Sequence, residues 1–106
     1  MDEMASSSVY LEYVLEQLSG LDGITHRKMM GEYIIYYQGK IFGGIYDDRF
    51  LVKDVPSARD FIGDVILELP YDGAKPMILV ADVDNKEYLI GLIETMASEL
   101  PASKKH

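Results

Sequence analysis

The sequence predicts a two-layer α+β domain, ordered α-β-β-β-α-β-β-α, whose mainly antiparallel sheet is covered by helices on one face. Three observations lead there. Strand-forming residues crowd the stretch from Thr25 to Lys53, and short turn signals punctuate it. Apolar stripes with the period of a helix stand near both ends of the chain. The connections between strand runs have hairpin length, too short for parallel crossovers.

Residues 1–7, MDEMASS, read as a frayed lead-in, and the serine run ending at Ser8 supplies an N-cap for the helix VYLEYVLEQLSGL. Leu11, Val14, Leu15 and Leu18 fall at i, i+3, i+4 and i+7, one buried stripe. Gly20 and Gly23 end the helix and turn the chain. MMGEYIIYY then reads as the first strand, with Gly31 marking a bulge or a close backbone approach. Gln38-Gly39 forms a two-residue hairpin loop into KIFGGIY, where the Gly43-Gly44 pair weakens the strand unless something packs closely against it. Asp47-Asp48 makes the next turn, and RFLVK is the third strand.

Pro56 suits the first turn of a short helix preceded by Asp54 or Val55, which would bury Phe61 and Ile62 and stop at Gly63. VILELPY and MILVA are the last two strands, joined by residues 72–76. DNKEYLIGLIETMASEL closes the fold as a helix, with Asp84 and Glu87 at capping-box spacing and Leu89, Ile93, Met96 and Leu100 as its buried stripe. Pro101 ends it, and residues 101–106 read as a flexible tail. The whole is one domain, residues 1–106.

Composition narrows the function. The chain has no cysteine, which removes disulfides, thiolate metal sites and cysteine nucleophiles and fits a reducing cytoplasm. The N-terminus lacks the basic and apolar segments of a signal peptide, and no run reaches the roughly 20 apolar residues of a membrane span, so no membrane partner is expected. Net charge is −8, unevenly laid out. Residues 26–53 hold Arg27, Lys28, Lys40, Arg49 and Lys53 against Glu32, Asp47 and Asp48, a basic island in an acidic chain. An acidic protein repels phosphate backbones at long range, so direct nucleic-acid binding is not expected.

No catalytic or metal-binding constellation emerges, and no cofactor is implied. His26 has no nucleophile or ligand partner at working spacing, so it is not expected to act as a base or to hold a metal. Asp82, Asp84 and Glu87 fail the calcium-loop pattern, which needs a central Gly and a closing acid, and helix capping accounts for them better. Gly43-Gly44 is not a phosphate loop, because no helix follows it. The eight tyrosines could stack bases, but the acidic balance favours strand and interface roles. Arg27 could simply pair with a nearby carboxylate, and one of Met29 and Met30 should enter the core if both lie in a strand. Five strands leave open edges, which a second copy commonly covers, so a homodimer is one expectation.

Four segments carry a family resemblance: Arg27-Lys28-Met29-Met30-Gly31-Glu32-Tyr33, Ile35-Tyr36, Gly39-Lys40-Ile41-Phe42-Gly43 and Asp48-Arg49-Phe50-Leu51-Val52-Lys53. They resemble the amino-terminal domain of the TfoX/Sxy competence regulators over about residues 9–54, with Met30, Glu32 and Ile34 departing from the residues usual there. The resemblance implies a small non-enzymatic α+β domain acting through protein contacts, in transcription or competence regulation. The larger departure is at the end: full regulators carry a second, helical domain, which is not expected here because the sequence stops at His106 without room for it. Together with the basic island, the resemblance points to a partner-docking surface at Arg27, Lys28, Met29, Met30, Gly31 and Tyr33, with Lys40 and Arg49 nearby. The alternative reading is an acidic chaperone-like adaptor that binds a client segment as a dimer.

Overall fold

A computed structural model describes residues 8–100; the lead-in and the tail expected at 1–7 and 101–106 lie outside the described residues. The first helix, α1 (Ser8–Gln17), is followed by four strands, β1 (Ile24–Met29), β2 (Glu32–Tyr37), β3 (Lys40–Tyr46) and β4 (Arg49–Val52). A short helix α2 (Pro56–Ile62), strands β5 (Leu67–Glu68) and β6 (Met77–Leu79), helix α3 (Lys86–Met96) and a 3-10 turn (Ala97–Glu99) complete the order. The sheet runs β1-β2-β3-β4-β6-β5, antiparallel at every pairing.

The expected class and order of helices and sheet segments stand, and the meander gains a strand. The stretch read as one strand with a bulge at Gly31 is a hairpin. Met30 and Gly31 both have positive φ, 54° and 86°, and form its two-residue turn. Gln38-Gly39 and Asp47-Asp48 repeat the device with φ of 52° and 81°, and 56° and 57°. Positive φ at both central positions matches the right-handed twist of the flanking strands, so each hairpin closes without splaying. The Asp47 N–H also donates to the Glu32 carboxylate at 3.0 Å, which ties the third turn to the start of β2. The bulge sits one strand later: Ile35 pairs with Gly43 and Tyr36 with Ile41, leaving Phe42 as the extra residue. That kink lets Phe42 enter the core fully buried, edge-on to Phe50 at 6.3 Å.

All three helices lie on one face. Leu11, Val14 and Leu18 of the first stripe are buried, while Leu15 packs at its margin. From the last helix Leu89, Ile93, Met96 and Leu100 are buried as the spacing predicts, joined by Leu92. They meet Ile35, Ile45, Phe50, Val52 and Ile78 of the sheet. Helix α2 starts with Pro56 after Val55 and stops at Gly63, φ 89°. Its Phe61 is not core: it is 38% exposed and packs on Tyr88 and over Gly91 of α3. The N-cap of α3 is Asn85, whose side chain accepts the Tyr88 N–H at 3.0 Å, rather than Asp84. Asp84 instead accepts the Tyr13 hydroxyl proton, a bond that lifts the phenol's pKa, and Gln17 donates to the Val83 carbonyl at 2.9 Å. These two contacts fasten α1 to the entry of α3.

Gly43 and Gly44 explain the weak point in β3. A Cβ on Gly43 would sit 2.2 Å from the Leu51 carbonyl oxygen, and one on Gly44 would sit 2.3 Å from that of Tyr33. Both obstacles are backbone of neighbouring strands, which cannot step aside. Gly43→Ala or Gly44→Ala should therefore cost about 3 kcal/mol or more, read from urea denaturation midpoints. Gly39→Ala, in open space at φ 81°, should cost only about 1–2 kcal/mol. Equal losses at the three positions would contradict the close approach.

Candidate interaction surface

The helices leave the other face of the sheet bare. Cross-strand pairing places Ile34, Tyr36, Ile41, Gly44, Leu51 and Met77 on that side. β2, EYIIYY, is thus apolar on both faces. At the centre Gly44 stands between Ile34 and Leu51 and offers no side chain. The Tyr46 ring folds into that space, with ring carbons 3.0 and 3.1 Å from where a Cβ would be. Burial pushes the Tyr46 phenol pKa up, with Tyr71 and Glu32 adding to it. Tyr71, from the connection between β5 and β6, lies against Tyr46 with ring centroids 6.4 Å apart.

Arg49 straps that connection down. Its guanidinium donates to the Tyr46 carbonyl at 3.0 Å, to the Glu68 carboxylate at 2.7 Å and to the Pro70 carbonyl at 3.4 Å. Under this strap Leu51 and Tyr46 are buried although they face away from the helices. Between the strap and β1 lies a groove of about 700 Å³, floored by Ile34, Tyr36 and Ile41 and walled by Met29, Tyr71 and Met77. Lys53 and Lys75 line it and make no ion pair among the described residues. Asp54, also at the groove, is held by Arg59 through bonds of 2.7 and 2.9 Å, and that hydrogen bonding draws its carboxyl below the usual range.

At the other rim β1 is an edge strand, exposed along its length except at Ile24. Arg27 pairs across from Ile34 and so belongs to the bare side; His26 and Lys28 pair with Ile35 and Tyr33 and point to the helix side. The side chains of Arg27 and Lys28 make no hydrogen bond or ion pair among the described residues, so the carboxylate pairing considered for Arg27 is not formed. His26 touches Tyr33 edge-on, with centroids 6.3 Å apart.

The eight residues expected at the docking surface divide into two groups. Arg27, Lys28 and Met29 share β1, and Met30 and Gly31 form the turn beyond it. Neither methionine enters the core: Met29 is 45% and Met30 95% exposed, because the turn replaces the expected strand continuation. The other three are otherwise engaged. Tyr33 is buried in the helix-facing core, Lys40 donates to the Ala97 carbonyl at 3.3 Å beyond α3, and Arg49 holds the strap. The groove itself was missed from sequence; its signal was the two-sided apolar character of EYIIYY, which a sheet with one solvated face does not require.

Structurally this is a small α+β domain with one helical layer and one apolar, partly strapped sheet face. The chain belongs to the TfoX N-terminal domain family, whose model matches residues 16–88. It is also 30% identical over 102 residues to an uncharacterized 12.7 kDa protein encoded in the trpE 5′ region of Spirochaeta aurantia, covering 95% of this chain and 89% of that protein. No solved structure matches it. Among the described residues no helix is long and apolar enough to cross a membrane, and no cluster of three or more His, Asp or Glu could hold a metal ion.

Arg49→Ala removes three bonds at once and should cost about 2 kcal/mol in urea denaturation, with faster amide exchange confined to residues 69–76. Arg49→Lys should recover part of the loss, since one ammonium cannot span the same three acceptors. Unchanged exchange in the strap would show that Arg49 does not hold it.

Proposed function

We propose that this protein is a non-catalytic regulatory domain of the competence-regulator type, working in the cytoplasm by docking onto another protein. The docking surface is β1 with the adjoining groove. One observation carries the reading: in a chain of net charge −8, Arg27 and Lys28 stand exposed, with no ion pair among the described residues, on an open sheet edge that adjoins an apolar groove. Exposed cations without partners, one on each side of the edge strand, add nothing to stability. They do steer and orient an oppositely charged surface. Family membership supports the regulatory setting.

Purified protein used to capture partners from native lysate, with nuclease present, should retain a protein that Arg27→Glu/Lys28→Glu loses at least tenfold. Retention by the variant at wild-type level would remove β1 from the surface. Retention that depends on nucleic acid would overturn the reading altogether.

The apolar groove also favours a second reading, an adaptor that cradles an extended apolar client segment as a dimer. Ile34, Tyr36 and Ile41 form a floor broad enough for such a segment. That reading predicts binding of a hydrophobic dye, weakened by Ile41→Ser, which changes a residue already 38% exposed. A monomer that binds no dye would exclude it.

A further inference from the structure

Resting on the docking reading above, we infer that the outer edge of β1 is a strand-addition site for an extended acidic segment of a protein partner. The backbone geometry comes first. The two-residue turn Met30-Gly31 closes on Met29 and Glu32, which makes them a hydrogen-bonded pair. Hydrogen-bonded pairs alternate along an antiparallel ladder, so Arg27 and Thr25 also turn their N–H and C=O groups inward to β2. The Gln38 N–H donating to the Gly23 carbonyl at 2.8 Å confirms that parity at the far end. Ile24, His26 and Lys28 therefore turn theirs outward, three donors and three acceptors on one line. The opposite edge, β5, is only two residues long and offers no comparable template.

Charge then selects the occupant. Open edges invite another copy of the same strand. In the antiparallel β1–β1 pairing that overlaps the strand fully, Lys28 faces Ile24 and Arg27 faces Thr25, so neither cation meets an opposite charge. A second copy therefore leaves both cations without a counter-charge, which an acidic strand supplies. Side-chain alternation sorts the incoming segment: its carboxylates meet Arg27 on one side and Lys28 on the other, and an apolar residue on the bare side reaches Met29 and the groove. Strand addition takes affinity from main-chain bonds and selectivity from alternate side chains.

The test is an NMR titration of the full chain with a ten-residue peptide in which adjacent Glu-Glu pairs are separated by Val and Ile, so that carboxylates stand on both faces. A peptide with Lys in place of Glu and a single-stranded oligonucleotide serve as comparison arms. The Glu peptide should slow amide exchange at Ile24, His26 and Lys28, but not at Thr25 or Arg27, whose bonds are already made. The Lys peptide should bind at least tenfold more weakly, and added salt should erase much of that difference. His26→Pro removes an outward N–H and leaves the ladder to β2 intact, so it should weaken binding about tenfold. Arg27→Glu/Lys28→Glu should abolish it. Loss in the charge variant with full binding by His26→Pro and no protected edge amides would overturn strand addition while leaving β1 docking in place. Failure of both peptides, preference for the oligonucleotide, or concentration-dependent protection of the same amides without peptide (a second copy on the edge) would each overturn the inference. If His26→Pro unfolds, the exchange pattern of the unaltered protein decides alone.

Discussion

The approach of three backbones at Gly43 and Gly44 is the constraint on which the rest of the structure depends. β3 is flanked by β2 and β4, and any side chain at these two positions would strike a neighbouring carbonyl. With the strands seated, the bulge beside Gly43 turns Phe42 into the helix-facing core, where it meets Phe50. On the reverse side the gap at Gly44 admits the Tyr46 ring. A bare glycine in a sheet is weak, and an aromatic side chain lying over it restores part of what is lost. Tyr46 then supports Tyr71, Arg49 fixes the chain on either side, and the groove acquires its far wall. One dipeptide thereby shapes both faces of the sheet.

Electrostatics divides the molecule along a different line. The acidic surplus lies before β1 and after β4, and the cations gather on the meander. Two of those cations are absorbed internally: Lys40 by a carbonyl just past α3, Arg49 by the strap. Arg27, Lys28 and Lys53 are left to face solvent, and Lys75 of the strap joins Lys53 at the groove. Counting basic residues along the sequence overstates the docking charge, because the fold spends some of it on holding itself together. What remains is arranged around one edge and one groove, an asymmetric field of the kind that orients an oppositely charged surface, as the proposed docking requires.

Membership of the TfoX N-terminal domain family fits this division. Most of the segments that carry the family resemblance are architectural: turns, the glycine pair, the strap arginine and core positions of β3 and β4. The side chains of Arg27 and Lys28 stand apart, since no hydrogen bond or ion pair among the described residues uses them.

The sequence by itself determined the α+β class, the order of elements and the core stripes of both long helices, because those follow from local periodicity and turn chemistry. It also exposed Gly43-Gly44 as a place of close approach. It did not reveal that Met30-Gly31 is a turn. Methionine is an uncommon residue for positive φ, and the hairpin is imposed by the pairing of β1 along the whole of β2. It could not separate Asp84 from Asn85 as the cap of α3, since that depends on Tyr13 reaching across from α1 to occupy Asp84. Nor could it show the groove, whose walls come from residues more than forty positions apart and are brought together by sheet pairing, Arg49 and the tilted Tyr46–Tyr71 contact. Local rules choose the strands and helices; which cations stay exposed and which face stays bare is settled when distant segments compete for the same partners.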